Sequence, residues 1–230
     1  MPSDSHTRPV VEWRAIFLSD FWFKCLGTSA FMTFFFWAYL FLLKNPAFPV
    51  TTIPLTVMDQ WIGFSPLALI PYLSLWIYCS LPVTLMPTRA RLLNFGFWIG
   101  TMCLLALFIF YWLPTTVPPA YIDWAQYPGV AFLKSVDAAG NACPSLHVAA
   151  AVYSSFWLYW LMREVRMGWL AQSIQVLWGL AIVYSTMATK QHVSLDVLAG
   201  MVLGTVFACC SKWLDSKLQL VSLSNRIFGK

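Results

Sequence analysis

The stretch that decides the fold is NFGFWIGTMCLLALFIFYWL, residues 94–113. It holds no charged side chain, and its length is about the 20 residues that a helix needs to cross the hydrocarbon core of a bilayer. The rest of the chain has the same character, with 60% hydrophobic residues, 10% charged residues and a mean hydropathy of +0.69. A soluble domain carries roughly a quarter charged residues. The chain lacks the polar groups to cover a water-facing surface, and we predict an integral membrane protein.

Five further segments flank this stretch and are also long and apolar enough to span a bilayer. The predicted spans are residues 25–43, 65–86, 94–113, 144–162, 169–187 and 192–211. Three prolines interrupt the apolar segment 45–64, which we interpret as an interfacial or re-entrant connection. The predicted fold is therefore all-α, a polytopic membrane protein with six transmembrane helices in a bundle.

The positions of the basic residues predict the orientation of the bundle. Six spans place eleven lysines and arginines on the side of the termini and three on the other: Arg8, Arg14, Lys24, Arg89, Arg91, Arg163, Arg166, Lys212, Lys217, Arg226 and Lys230 against Lys44, Lys134 and Lys190. Cytoplasmic loops carry the excess of basic residues, so both termini are predicted to be cytoplasmic. Residues 1–24 and 213–230 would then be cytoplasmic segments that flank a membrane domain, residues 25–212.

Two polar clusters interrupt the apolar pattern. The first, CPSLH (residues 143–147), opens the fourth predicted span, and the second, STMATKQHVSLD (residues 185–196), joins the fifth to the sixth. Ionisable groups inside spans are costly and mark functional sites by default. The six-span topology places both clusters on the same non-cytoplasmic face.

The first cluster has the features of an anion site. Proline suits the first turn of a helix, and Pro144 would leave the N–H groups of Ser145, Leu146 and His147 among the free donors of a helix N-terminus. The Ser145 hydroxyl and the His147 imidazole would add further donors.

The second cluster has the features of an activated histidine. His192 and Asp196 are four residues apart and would share one helix face. A carboxylate beside an imidazole fixes its tautomer and leaves the other ring nitrogen free as a nucleophile or base. Lys190 would supply a fixed positive charge.

Together the clusters fit phosphoryl transfer through a phosphohistidine. His192 would attack phosphorus, His147 would protonate the leaving oxygen, and Lys190 with the helix-end amides would balance the charge of the phosphoryl oxygens. This chemistry needs no metal and no cofactor. A zinc site is an alternative use of His147, His192, Asp196 and Cys143, but their spacing matches no common zinc pattern.

In these clusters the sequence resembles the type 2 phosphatidic acid phosphatase superfamily. Pro144-Ser145-Leu146-His147 stands where the family has the motif PSGH. A second family motif has the form SRxxxxxHxxxD. The chain reproduces its spacing with Ser185-Thr186, His192 and Asp196. The resemblance implies a six-span core with His192 as nucleophile, His147 as acid and base, and Asp196 as the group that orients His192. It further implies that Ser145 and Ser185 contact phosphate.

The chain departs from the family pattern at three points. The first family motif, K, six residues, RP, has no counterpart, because the stretch FIFYWLPTTVPPAYIDW (residues 108–124) lacks lysine and arginine. Leu146 replaces the glycine of the second motif, and Thr186 replaces the arginine of the third. These features are similar to the branch of inositol phosphorylceramide synthase-like and sphingomyelin synthase-like proteins, and Lys190 and Lys134 would then take over part of the lost positive charge.

The predicted function is hydrolysis of a membrane lipid phosphomonoester, either a lipid phosphate or a polyprenyl or lipid pyrophosphate. The alternatives are transfer of a lipid head group to an alcohol, a proton- or ion-coupled transporter, and a non-catalytic relative. The predicted partners are the lipid substrate and the bilayer; the net charge of +5 comes without a basic stripe and does not point to nucleic acid. Because the first twenty residues do not resemble a cleaved signal peptide, we expect a bacterial inner membrane, with the site facing the periplasm or the exterior.

Overall fold

A computed structural model describes residues 13–136 and 141–228, which are mostly helical. The elements in chain order are α1 (Trp13–Leu18), α2 (Phe21–Lys44), β1 (Thr51–Thr52), α3 (Val57–Trp61), α4 (Leu69–Leu85), α5 (Arg89–Trp112), β2 (Thr115–Thr116), α6 (Pro128–Val136), α7 (Leu146–Glu164), α8 (Trp169–Ala188) and α9 (Ser194–Phe228). Short 3₁₀ turns cover Pro66–Ala68, which leads into α4, and Trp124–Gln126. Arg8 and Lys230 of the sequence analysis lie outside the described residues.

Among the described residues, five helical segments are long and apolar enough to cross a membrane, which fits an integral membrane protein. They are Phe21–Lys44, Pro66–Leu85, Arg89–Trp112, Trp169–Ala188 and Ser194–Gln219. The fourth predicted span corresponds to α7, which does not reach the same hydropathy. Six spans with both termini in the cytoplasm therefore remain a prediction.

Helix α7 is less apolar because it lies inside the bundle, where its polar groups bond to neighbouring helices. The Tyr153 hydroxyl donates to the Phe95 carbonyl at 3.0 Å and lies 3.1 Å from the Ser211 hydroxyl, to which Trp157 Nε1 donates at 3.2 Å. Tyr153 and Trp157 are fully buried. A helix that is shielded from lipid by its neighbours can carry such groups, because their hydrogen bonds are satisfied within the protein.

Helices α7 and α9 pack closely because two glycines of α9 face α7. A Cβ at Gly200 would overlap the carbonyl oxygen of Ser145, and a Cβ at Gly204 would overlap that of Ala149. Small residues four apart on a helix let two backbones approach each other in this way. The contact fixes the start of α7 beside the start of α9.

The contacts at the two ends of the bundle give the directions of three helices. At one end, which we call the histidine end, the N–H of Ser145 donates to the carbonyl of Asp196 at 3.0 Å. At the opposite Arg91 end, Arg91 of α5 bonds to Glu164 of α7 and Asp215 of α9. Helices α7 and α9 therefore run in the same direction, and α5 runs in the opposite one.

Two loops at the histidine end are joined by a short pair of parallel β-strands, β1 and β2. This pair is a minor departure from the all-α prediction. Thr51 and Thr52 pair with Thr115 and Thr116. The Thr115 hydroxyl also accepts from the N–H of Cys143 at 2.8 Å, which fixes the chain just before Pro144. Segment 45–64 contains only β1 and α3, and neither is long enough to span a membrane.

Helix α9 is longer than its predicted span, which was set to end at residue 211. It continues to Phe228 through the region assigned to a cytoplasmic tail. Within this extension Asp215 is fully buried and pairs with Arg91. The pairing neutralises a buried charge at the Arg91 end of the bundle.

Candidate active site at the histidine end

An imidazole–carboxylate pair lies at the start of α9. His192 Nδ1 and Asp196 Oδ2 are 2.8 Å apart, and the Asp196 side chain is fully buried. The second oxygen, Oδ1, accepts from the N–H of Val193 at 2.8 Å. Because both carboxylate oxygens are bonded, Asp196 can hold the imidazole in one orientation.

The pair forms across the beginning of the helix rather than along one helix face. The sequence analysis placed both residues on the sixth span, but α9 begins at Ser194, two residues after His192. His192 belongs to the turn from α8, where the Thr186 carbonyl accepts from the N–H groups of Gln191 and His192, each at 3.0 Å. Lys190 takes a left-handed conformation in this turn, with φ of 58°. Such a residue ends a helix and redirects the chain.

The first cluster meets the second through Ser145. Its N–H donates to the carbonyl of Asp196, so it is not one of the free donors that the sequence predicted. Its hydroxyl is fully buried and accepts from the N–H of Val148 at 3.3 Å, as expected for a helix N-cap. The N–H groups of Leu146 and His147 follow in the first turn of α7, where helix donors lack partners within the helix.

His147 is stacked on an aromatic ring of α4. Its imidazole lies 4.0 Å from the ring of Tyr72, centroid to centroid, with 23° between the planes. Its Nε2 is buried without a hydrogen-bond partner. A buried polar atom without a hydrogen-bond partner costs roughly 1–3 kcal/mol of stability. A hydrogen bond between Nε2 and a substrate oxygen would remove that cost.

The two histidines line one cavity of about 660 Å³. Leu146 and Asn141 also line it at the histidine end. The Asn141 amide nitrogen donates to the carbonyl of Tyr39 at 2.9 Å, while its oxygen is buried without a partner. Sequence reasoning missed Asn141, because only the fold brings this loop residue to the histidines.

Two predicted substrate contacts, Lys190 and Ser185, are bonded elsewhere. The Lys190 ammonium donates to the carbonyl of Ile62, and Lys134 donates to the carbonyl of Lys190 at 2.8 Å. The Ser185 hydroxyl is fully buried and donates to the carbonyl of Ile182 at 2.6 Å. The structure thus brings His147, His192 and Leu146 to the cavity, whereas roles for Lys190 and Ser185 stay predictions.

Asp59 is a second residue that sequence reasoning missed. It lies in α3 and accepts from the N–H and the hydroxyl of Thr56, at 2.7 and 2.9 Å, and of Ser194, at 2.7 and 2.9 Å. The pattern Thr56-x-x-Asp59 is a capping-box signal in the sequence. The bonds to Ser194 join segments 135 residues apart, which no local pattern indicates. Asp59 therefore fixes the start of α9, two residues after His192.

Removing the Asp59 carboxylate should lower activity without touching the histidines. We expect Asp59→Asn to reduce kcat/KM about tenfold, because charge-assisted hydrogen bonds of about 1.5–3 kcal/mol that hold the start of α9 are weakened. The matched control is Asp123→Asn. That exposed carboxylate caps the 3₁₀ turn Trp124–Gln126, and its loss should change activity less than twofold. Equal activities of the two variants would contradict a positioning role for Asp59.

The Asp59 link should also depend on pH. Burial alone would raise the pKa of this carboxyl group, but hydrogen bonds from Thr56 and Ser194 outweigh it and hold the pKa below 3.8. A lowered pKa gives stability that is complete above the ordinary value and is lost as pH falls through the lowered one. Thermal unfolding between pH 3 and pH 6 should therefore show a smaller acid destabilisation in Asp59→Asn than in the parent. Identical pH curves would contradict this account.

The zinc alternative finds little support in the placement of its ligands. Within residues 13–136 and 141–228, no three His, Cys, Asp or Glu side chains are placed to hold a metal ion. Burial and the nearby Asp196 carboxylate raise the pKa of the Cys143 thiol. Zinc binds the thiolate form of cysteine, which a raised pKa disfavours.

Comparison with known proteins gives one match. A family model described as the PAP2 superfamily matches residues 55–210, which include both polar clusters, Asp59 and Asn141. Searches of curated proteins and of solved structures found no match.

Proposed function

The chain belongs to the PAP2 superfamily, and from that premise we propose that it is a membrane lipid phosphatase that hydrolyses a phosphomonoester through a phosphohistidine. Membership supports phosphatase or phosphotransferase chemistry in general. The observation that carries the finer proposal is the Ser145–Asp196 backbone bond, which places the helix start bearing His147 against the His192–Asp196 pair.

In the first step His192 acts as the nucleophile. With its proton on Nδ1 and bonded to Asp196 Oδ2, the imidazole has a lone pair on Nε2 that attacks phosphorus. The P–N bond forms, the P–O bond to the lipid breaks, and the lipid oxygen takes a proton from His147. Asp196 stabilises the positive charge that develops on His192.

In the second step His147 acts as the base. It takes a proton from a water molecule, whose oxygen attacks phosphorus as the P–N bond breaks. Inorganic phosphate leaves, and both histidines return to their starting states. The N–H groups in the first turn of α7 would balance charge on the phosphoryl oxygens. General acid–base catalysis of this kind contributes typically 10²–10⁴-fold to the rate.

Head-group transfer to a lipid alcohol is the second candidate. The side-chain oxygen of Asn141 favours this candidate, because it is a buried acceptor without a hydrogen-bond partner. An alcohol hydroxyl could donate to it. An alcohol oxygen would then replace water in the second step.

A product assay separates these two candidates. Purified protein is incubated with a phospholipid alone, and then with an added lipid alcohol. Hydrolysis predicts free phosphate in the first reaction. A new phosphodiester that forms only in the second would support transfer, and no product in either would overturn both candidates. Activity should persist in the presence of chelators, and chelator sensitivity would return the zinc alternative.

A proton or ion relay is less consistent with the cavity. Below the histidines its described walls are mostly aromatic and aliphatic side chains down to Lys24, whereas a relay needs polar groups across the membrane. We further propose that the histidine end faces the periplasm or exterior of a bacterial inner membrane, since the basic residues collect at the opposite side.

A further inference from the structure

The cavity at the histidines extends deep into the bundle. It continues between α2, α4 and α5 as far as Phe23 and Lys24. Tyr39 lines its histidine end, and Lys24 lies fifteen residues earlier on the same helix, which corresponds to about 22 Å at 1.5 Å per residue. One leaflet contributes about 15 Å of hydrocarbon. The cavity is therefore longer than one leaflet is deep.

The described residues at the far end of the cavity offer no binding site for a second charged group. Lys24 is its cationic residue, and the ammonium donates to the carbonyls of Ile16, Thr84 and Met86 at 2.9, 3.2 and 3.3 Å. An ammonium group has three donors, so these carbonyls use all of them. The far end suits the end of an apolar chain.

Two glycines leave the far end wide. A Cβ at Gly27 or at Gly96 would meet no atom within 4 Å, and both residues line the cavity. Gly27 is about 18 Å from Tyr39 along α2. Gly96 is about 21 Å along α5 from Phe110, whose ring packs on Tyr39. Both glycines therefore lie deeper than one leaflet.

The width of the cavity is sufficient for an extended hydrocarbon chain. A volume of about 660 Å³ over about 22 Å gives a mean cross-section of about 30 Å². Non-bonded carbon atoms approach to about 4 Å, so an extended chain occupies roughly 20 Å² and fits within this cross-section.

We propose that this cavity binds a hydrocarbon chain of the substrate, extended along α2 from the histidines toward Lys24. The protein would then select lipid phosphates or pyrophosphates with a chain longer than one leaflet. This inference rests on the proposed function, because it takes the phosphate end of the lipid to lie at His147 and His192.

Plugging the far end tests the proposal by kinetics. The substrates are two alkyl monophosphates, one with an extended chain shorter than about 15 Å and one longer than about 20 Å. Gly27→Leu and Gly96→Leu should lower kcat/KM for the long substrate about tenfold, which corresponds to the lower range of overpacking costs. The kcat/KM for the short substrate should change less than twofold. The matched control is Leu104→Phe, which adds bulk at a position of α5 that is 57% exposed. Equal effects on both substrates, or none on the long one, would overturn the proposal.

Photo-crosslinking tests the same proposal without turnover. A long alkyl monophosphate with a diazirine at its chain end is bound to the His192→Asn variant in vesicles and irradiated. Adducts should concentrate in residues 23–28 and 92–97, and unlabelled long substrate should suppress them. Adducts spread over exposed positions such as Leu104 and Phe108 would overturn the proposal. Far-end adducts combined with an inactive parent protein would overturn the proposed function alone.

Discussion

Replacing His192 with alanine is expected to lower kcat for phosphate release by at least about 10⁴-fold. Its Nε2 is the proposed nucleophile, and loss of a covalent nucleophile removes the reaction path itself. Initial rates with a saturating alkyl monophosphate measure the effect. Retention of more than a tenth of the parent activity would remove His192 from the mechanism.

Two further variants separate lost chemistry from lost folding. His192→Ala leaves the fully buried Asp196 carboxylate without its imidazole partner, which itself destabilises the protein. His192→Asn places an amide donor near the position of Nδ1 and should retain the parent's melting temperature while remaining inactive. His6→Ala changes the histidine of the N-terminal segment and should retain full activity.

Replacing Arg91 with methionine is expected to give the largest loss of stability, about 3–5 kcal/mol. Arg91 donates two hydrogen bonds to Asp215, at 2.9 and 3.0 Å, and two to Glu164, at 2.7 and 3.0 Å. From the sequence alone, Arg91 indicates only the orientation of the bundle. Its removal leaves the buried Asp215 carboxylate with Lys212 at 3.1 Å as its remaining cationic partner. Thermal unfolding in detergent should show a decrease of roughly 10 °C.

Arg89 supplies the matched control for Arg91. It lies two residues earlier and pairs with Asp20, but its side chain is 65% exposed. Exposed pairs contribute about 0–1 kcal/mol, so Arg89→Met should change the melting temperature little. The double variant Arg91→Met with Asp215→Leu should recover part of the lost stability, because it also removes the buried carboxylate that has lost its Arg91 partner. Equal shifts for Arg89→Met and Arg91→Met would contradict the role assigned to the buried network.

Hydropathy predicted most of the helices because a spanning segment must be apolar over a fixed length. The predicted segment 94–113 lies within a few residues of α5, Arg89–Trp112. Hydropathy is less informative where distant residues satisfy polar groups. Asp215 of α9 is neutralised by Arg91, and the hydrogen bonds of Tyr153 and Trp157 explain why α7 is less apolar than the other long helices.

The candidate site was predictable to the extent that its contacts are local. The spacing of His192 and Asp196 indicated their pairing, and the 2.8 Å contact agrees with it. Sequence spacing could not show that the N–H of Ser145 is taken by Asp196, or that Lys190 bonds to Ile62. It also could not find Asp59 or Asn141, whose positions depend on contacts between loops far apart in the chain.

The most direct test of the central claim is to locate the phosphoryl group during turnover. The protein is mixed with a ³²P-labelled lipid phosphate, quenched with alkali to preserve phosphohistidine, digested and analysed by mass spectrometry. The account predicts label on His192 in the parent protein and none in His192→Asn. Turnover with label on another residue, or with label retained in His192→Asn, would contradict it.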